Sequence, residues 1–150
     1  MRSSLLALLL VLASATPALC WWQYAEWGIT AAQLASASGG RAVPCQSALA
    51  VCTAPPGGVA PSSYVDGIMM VGMPAQAAFA FDGSDRLVQT VVLFPTADVG
   101  LISSLLSGIH GAPVAGSSPP RWNDDRRGST LTAYPVGQGA MLLYRPGAPR

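Results

Sequence analysis

Phe79-Ala80-Phe81-Asp82-Gly83-Ser84-Asp85-Arg86-Leu87-Val88-Gln89-Thr90-Val91-Val92-Leu93-Phe94 decides the fold of this chain. Two runs rich in β-branched and aromatic residues flank Asp82-Gly83-Ser84-Asp85, whose composition is that of a tight hairpin turn. The segment therefore predicts two antiparallel strands, Gln76 to Phe81 and Leu87 to Phe94. Pro95 has no N–H to give to a ladder and ends the second strand. Beyond it the apolar period changes: Leu101, Ile102, Leu105, Leu106 and Ile109 recur at spacings of three and four. That is one stripe of a helix from Asp98 to Ile109, with Thr96 or Asp98 as N-cap and Gly111 with Pro113 as the stop. A hairpin followed at once by an amphipathic helix implies a sheet with helices laid on it.

Upstream, Thr30 and Gln33 have the spacing of a capping box, and Ile29 and Leu34 that of a hydrophobic staple. They predict a short helix from Ala31 to Ser38, ended by Gly39-Gly40. Two turns of helix are not stable alone, so this one must also lie on the sheet. Arg41 to Ser63 is rich in Pro and Gly and reads as a loop, with at most one short strand in Gln46 to Cys52. Tyr64 to Val71 is a further strand. Downstream, Arg121-Trp122, Ser129 to Tyr134 and Ala140 to Arg145 are strand candidates, and 146–150 is a flexible tail. The expected fold class is α+β, an antiparallel sheet of about four to six strands with two helices packed on one face. Residues 21–150 form one domain, in keeping with the chain length.

Composition excludes several classes. Of 150 residues, 51% are hydrophobic and 10% charged, which rules out a disordered polyelectrolyte. All eight basic residues are Arg, against seven carboxylates, so a nucleic-acid grip is not expected. Met1-Arg2 followed by the apolar run Leu5 to Leu12 and small residues predicts a secretory signal over residues 1–20. Ser14, Thr16 and Pro17 interrupt that run before it reaches membrane-spanning length, and no span is expected after signal removal. Cleavage at Ala15, Ala18 or Cys20 fits the pattern. Lipid anchoring through Cys20 is disfavoured, because Leu19 is not the small residue that such signals require. The expected location is periplasmic or extracellular. With Cys20 removed, Cys45 and Cys52 remain in an oxidising compartment and are expected to pair, contributing about 2 to 3 kcal/mol. Zinc is the competing reading of that pair and lacks ligands, since His110 is the one histidine.

Residues able to carry chemistry are few. His110 lies in the last turn of the predicted second helix, where the dipole favours a cationic imidazole, and no Ser sits in a Gly-x-Ser-x-Gly elbow. A small hydrolase using His110 is therefore the least favoured reading. Asp82 and Asp85 are potential calcium ligands or paired acids, but Asp is expected in such a turn for hydrogen bonds to its own backbone. Met69, Met70 and Met73 offer soft sulfur donors for cuprous ion, yet a strand places Met69 and Met70 on opposite faces. A periplasmic small-molecule or copper-binding protein using these methionines and His110 is thus the alternative function. Trp21, Trp22, Tyr24 and Trp27 form a cluster that either packs on the sheet or binds a partner. Asp124-Asp125-Arg126-Arg127 is a charge-balanced loop, or the rim of an interface.

The run Trp27-Gly28-Ile29-Thr30, Gln33-Leu34 and Gly39-Gly40, followed by Phe79-x-Phe81-Asp82 and Leu87, resembles the repeat unit of β-lactamase-inhibitor-protein-like domains and of related small outer-membrane assembly lipoproteins. Leu105 to Pro113 and then Trp122 extend the likeness, which covers most of residues 25 to 145. Leu19, and the length of the segment from Arg41 to Ser63, depart from the pattern. The resemblance implies a non-catalytic domain that binds other proteins and needs no cofactor. The expected function is accordingly a secreted bacterial envelope protein, a protein-interaction or inhibitor-like module whose partner is another envelope protein. Trp21, Trp22, Trp122, Arg126 and Arg127 are the expected contact residues.

Overall fold

The computed structural model describes residues 25–147. In chain order the elements are α1 (Ala31–Ala37), β1 (Val43–Pro44), a 3-10 turn (Ala50–Cys52), β2 (Ser63–Met70), β3 (Met73–Phe81), β4 (Leu87–Phe94), α2 (Val99–His110), β5 (Arg121–Asp124), β6 (Ser129–Val136) and β7 (Gly139–Pro146). The strands form one antiparallel sheet in the order β1-β2-β3-β4-β7-β6-β5. The class is the expected α+β, but the sheet has seven strands rather than four to six. Each half is a helix followed by three antiparallel strands, α1 with β2 to β4 and α2 with β5 to β7, and the halves join where β4 pairs with β7.

Local chemistry explains the helix ends. The Gln33 N–H donates to Thr30 Oγ1 at 3.2 Å while the Thr30 N–H donates to Gln33 Oε1 at 2.8 Å, closing the capping box. Gly39 and Gly40 then take left-handed φ of 64° and 80°. In α2, Asp98 Oδ1 accepts from the Leu101 N–H. Its apolar stripe is only half used: Ile102 and Leu106 are buried, whereas Leu101 and Ile109 are 48% and 64% exposed. The helix is rolled so that one ridge meets the sheet, which a period read from sequence does not specify.

The turn between β3 and β4 differs from a plain Asp-Gly hairpin. Asp85, not Gly83, takes the left-handed conformation, with φ of 55°. The Asp85 N–H donates to Asp82 O, and Asp82 Oδ1 accepts from the N–H groups of Ser84 and Arg86. Asp82 thus satisfies its own turn. Asp85 Oδ1 accepts from the Ala31 N–H at the start of α1, tying the turn to the helix.

The sheet is apolar on both faces in its centre. Ala77, Phe79, Val92, Phe94, Leu142 and Tyr144 share one core with Leu34 of α1 and Ile102 and Leu106 of α2. Ala78, Val91, Leu93, Met141 and Leu143 point the other way, against Val51 and Cys52. The Pro- and Gly-rich segment from Arg41 to Ser63 is therefore a third layer over part of the second face. Its middle is a 3-10 turn, not the strand expected within Gln46 to Cys52: Cys45 and Cys52 form a disulfide with Cα atoms 5.7 Å apart, too tight a ring for an extended run. Gln89, 1% exposed, clamps the rest of the loop. It donates to Val59 O at 2.7 Å and accepts from the Val59 N–H at 3.0 Å, as a strand neighbour would. A side chain on Gly58 would collide with Gln89 and Pro55.

Two stability predictions follow from these contacts. Gln89→Ala orphans both polar groups of Val59 and should cost about 3 kcal/mol in urea unfolding, with faster amide exchange at Val59. The two-residue turn between β2 and β3 puts exposed Val71 at φ 51° beside Gly72 at 77°, a conformation that β-branched residues resist. Val71→Asn should raise stability by about 1 kcal/mol in the same assay.

Candidate functional site

The second face of the sheet is covered on one side only. Its residues on β7 are Met141, Leu143 and Arg145, opposite Tyr134, Thr132 and Thr130 of β6. On β5, Arg121 lies opposite Thr132 and Asn123 opposite Thr130. Here β6 alternates: Ser129, Leu131 and Ala133 are buried toward the helices, and Thr130, Thr132 and Tyr134 are half-exposed on the other side. Tyr134 packs at the edge of the cluster that the disulfide-bonded layer covers, and Thr130 and Thr132 lie beyond it. What remains is an open groove of about 480 Å³ with Thr130, Thr132, Tyr134 and Leu143 in its floor, Arg121 and Arg145 on its flanks and residues 114–119 as a wall.

That wall is held by hydrogen bonds. The Val114 N–H donates to Arg121 O at 2.7 Å, the Ser117 hydroxyl donates to Val114 O at 2.6 Å, and Ser117 Oγ accepts from the Arg121 N–H at 3.1 Å. On the opposite flank the Arg145 guanidinium donates to Gly57 O, and more weakly to Gln89 Oε1, so the disulfide-bonded layer helps to place it. No carboxylate lines the groove, and neither arginine makes an ion pair among the described residues. The groove is a cationic trough with a hydroxyl floor.

A second cavity, of about 280 Å³, lies at the C-terminal end of α2 and is lined by Ile109, His110, Asn123, Asp124, Asp125, Arg126 and Arg127. It brings His110 beside the Asp-Arg cluster, residues that the sequence presents separately. Asp124, buried, accepts from the Arg127 N–H at 3.3 Å and lies 3.8 Å from Arg127 Nε. The lining carries charges of both signs, of which Asp124 and Arg127 are paired within the loop. The lining has no hydroxyl or thiol, and among the described residues no three His, Cys, Asp or Glu side chains converge as a metal site.

The expected contact residues separate. Trp21 and Trp22 lie outside the described residues, as does Tyr24. Trp122 is corrected from contact residue to core residue: it is 1% exposed and belongs to the helix-side cluster, because its position on β5 faces α2. Trp27 also packs against that cluster, its Nε1 donating to Ser129 Oγ at 3.0 Å. Arg126 and Arg127 line the smaller cavity. Met69 is 67% exposed, while Met70 and Met73 oppose one another across the hairpin and pack against the helix-side core, so the three sulfurs do not share a face. Arg121, Arg145, Thr130, Thr132 and Tyr134 were missed. The alternation of β5 and β6 was a signal for Arg121, Thr130, Thr132 and Tyr134, whereas Arg145 follows a nearly continuous buried run on β7 and has none.

No protein family, characterised protein or solved structure matches this chain.

Tyr144, on the helix-side face of β7, gives the fold a pH signature. Burial raises its phenol well above the ordinary tyrosine value of 10.0, Arg127 partly opposes this and Asp124 adds to it. A folded-state value above the unfolded one means that stability is intact below pH 10 and lost as pH rises beyond it. The chain has no Lys, so no lysine ammonium adds to the slope in that range. Between pH 10 and 11.5 the unfolding free energy should fall by about 1.4 kcal/mol per pH unit from this group, and Tyr144→Phe should flatten the slope by that amount.

Proposed function

We propose that this chain is a non-catalytic, secreted protein of the bacterial envelope that binds another protein through the uncovered half of its sheet. The observation that carries the reading is the groove itself. A sheet whose second face is sealed by a disulfide-bonded layer over β3, β4 and part of β7 is left open and polar over β6, with a hydrogen-bonded wall beside it. The tyrosine and two arginines on this strand face are residue types enriched where proteins meet. The Cys45–Cys52 disulfide supports an oxidising compartment. Among the described residues no helix is long and apolar enough to cross a membrane. Binding of this kind is what the resemblance to β-lactamase-inhibitor-protein-like domains implies.

The copper reading is weaker, because Met69 points away from Met70 and Met73 and His110 lies in the cavity formed with residues 123–127. The test places a photo-cross-linking phenylalanine analogue at Thr132, or at exposed Gly83 on the β3–β4 turn as a control, in the secreted protein. A discrete adduct from position 132 that is missing from position 83 is the expected result. Equal labelling from both positions, or none from 132, overturns the proposal.

A further inference from the structure

We infer that the segment held in the groove is an acidic, extended stretch of protein whose carboxylates are read by Arg121 and Arg145. This rests on the proposed binding role of the same face and adds the chemistry of what it accepts. Strand register settles the geometry. Arg121, Thr132 and Leu143 form one row across β5, β6 and β7, and Asn123, Thr130 and Arg145 form the next. Arg121 and Arg145 are therefore at diagonal corners, their Cα atoms about 12 Å apart at ordinary strand spacing.

Between them are the hydroxyls of Thr130 and Thr132, which donate to a carboxylate as readily as they accept from an amide. The lining carries two guanidinium groups and no acid. Of the four other arginines among the described residues, Arg41 and Arg86 donate to the carbonyls of Asp66 and Gly28, away from the groove, and Arg126 and Arg127 share a cavity with Asp124 and Asp125. Unlike the cavity at the end of α2, this trough therefore holds positive charge with no carboxylate in its lining. Planar guanidinium groups hold carboxylates by paired hydrogen bonds. An extended segment repeats its side chains on one face about every 7 Å. Alternate Asp or Glu residues along it can therefore reach both corners, with the intervening residues turned to solvent.

The test uses a capped decapeptide of alternating Glu and Thr, the same peptide with Gln in place of Glu, and inorganic phosphate at matched ionic strength. Binding to the full chain is followed by fluorescence anisotropy for the peptides, and by amide chemical shifts of Thr130 and Thr132 for all three. The Glu peptide should bind at least tenfold more tightly than the Gln peptide at 20 mM salt and lose most of that advantage at 300 mM. Arg121→Gln should weaken it at least fivefold, and Arg41→Gln should leave it unchanged. Arg145→Gln should weaken it similarly. Because Arg145 also tethers the Gly57 loop, its replacement by Lys, which keeps the charge, is the companion variant and should recover most of the binding. Equal binding of the two peptides, indifference to Arg121→Gln, or phosphate shifting Thr130 and Thr132 as strongly as the Glu peptide overturns the inference. If the photo-adduct at Thr132 forms while the Glu peptide fails, the binding face stands and its acidic specificity falls. If both fail, both readings fall together.

Discussion

A sheet that is apolar on both faces has to be covered on both, and that requirement organises this molecule. In β4, Val92 and Phe94 face the helices while Val91 and Leu93 face away, so helices on one side leave a second oily surface exposed to water. Leaving several such side chains wet would forgo roughly 2 kcal/mol each. The chain meets the requirement with the segment between α1 and β2, too rich in Pro and Gly for more than the two-residue β1 and a 3-10 turn. Closed by the Cys45–Cys52 bridge and held down by Gln89, it lays Val51 and Cys52 across the second face. The clamp matters because the loop has little regular structure of its own, and the backbone groups of Val59 find their partners on the sheet.

The site is the complement of that cover. Where the sheet turns polar on its second face, along β6, no cover is needed and none is present. Arg145 marks the boundary, since it belongs to the groove while its guanidinium is hydrogen-bonded to the covering loop through Gly57. The element that stabilises the fold therefore also sets the position of one of the two cations in the trough. On the helix side the same logic runs in reverse: Trp122, Trp27 and Tyr144 are drawn into the core, leaving the cavity between α2 and the β5–β6 turn lined by charges of both signs, Asp124 and Arg127 among them paired.

Much of the fold was legible along the chain, because its determinants are local. The capping box at Thr30 and Gln33, the glycines after α1, the β3–β4 hairpin and the Asp98 cap each depend on residues within a few positions of one another. The cysteine pair was legible for the same reason. The strand count and the conformation of Gln46 to Cys52 were not, since a two-residue edge strand such as β1 exists only because Val43 and Pro44 find Tyr64 and Ser63. Trp122 shows the limit most clearly: an aromatic residue beside arginines reads as surface, and only strand register against Leu131 turns it inward.

The sequence by itself determined that this is an α+β chain with two helices, a central hairpin and a cysteine-closed loop, because hydrophobic period, caps and turn chemistry act over short spans. Tertiary structure alone decided which ridge of α2 is buried, what the loop covers and where a binding groove is left. Those depend on register and on contacts between residues far apart, such as Gln89 with Val59 and Arg145 with Gly57. Arg121 and Arg145, 24 positions apart, become one site only because three neighbouring strands bring them to the same face.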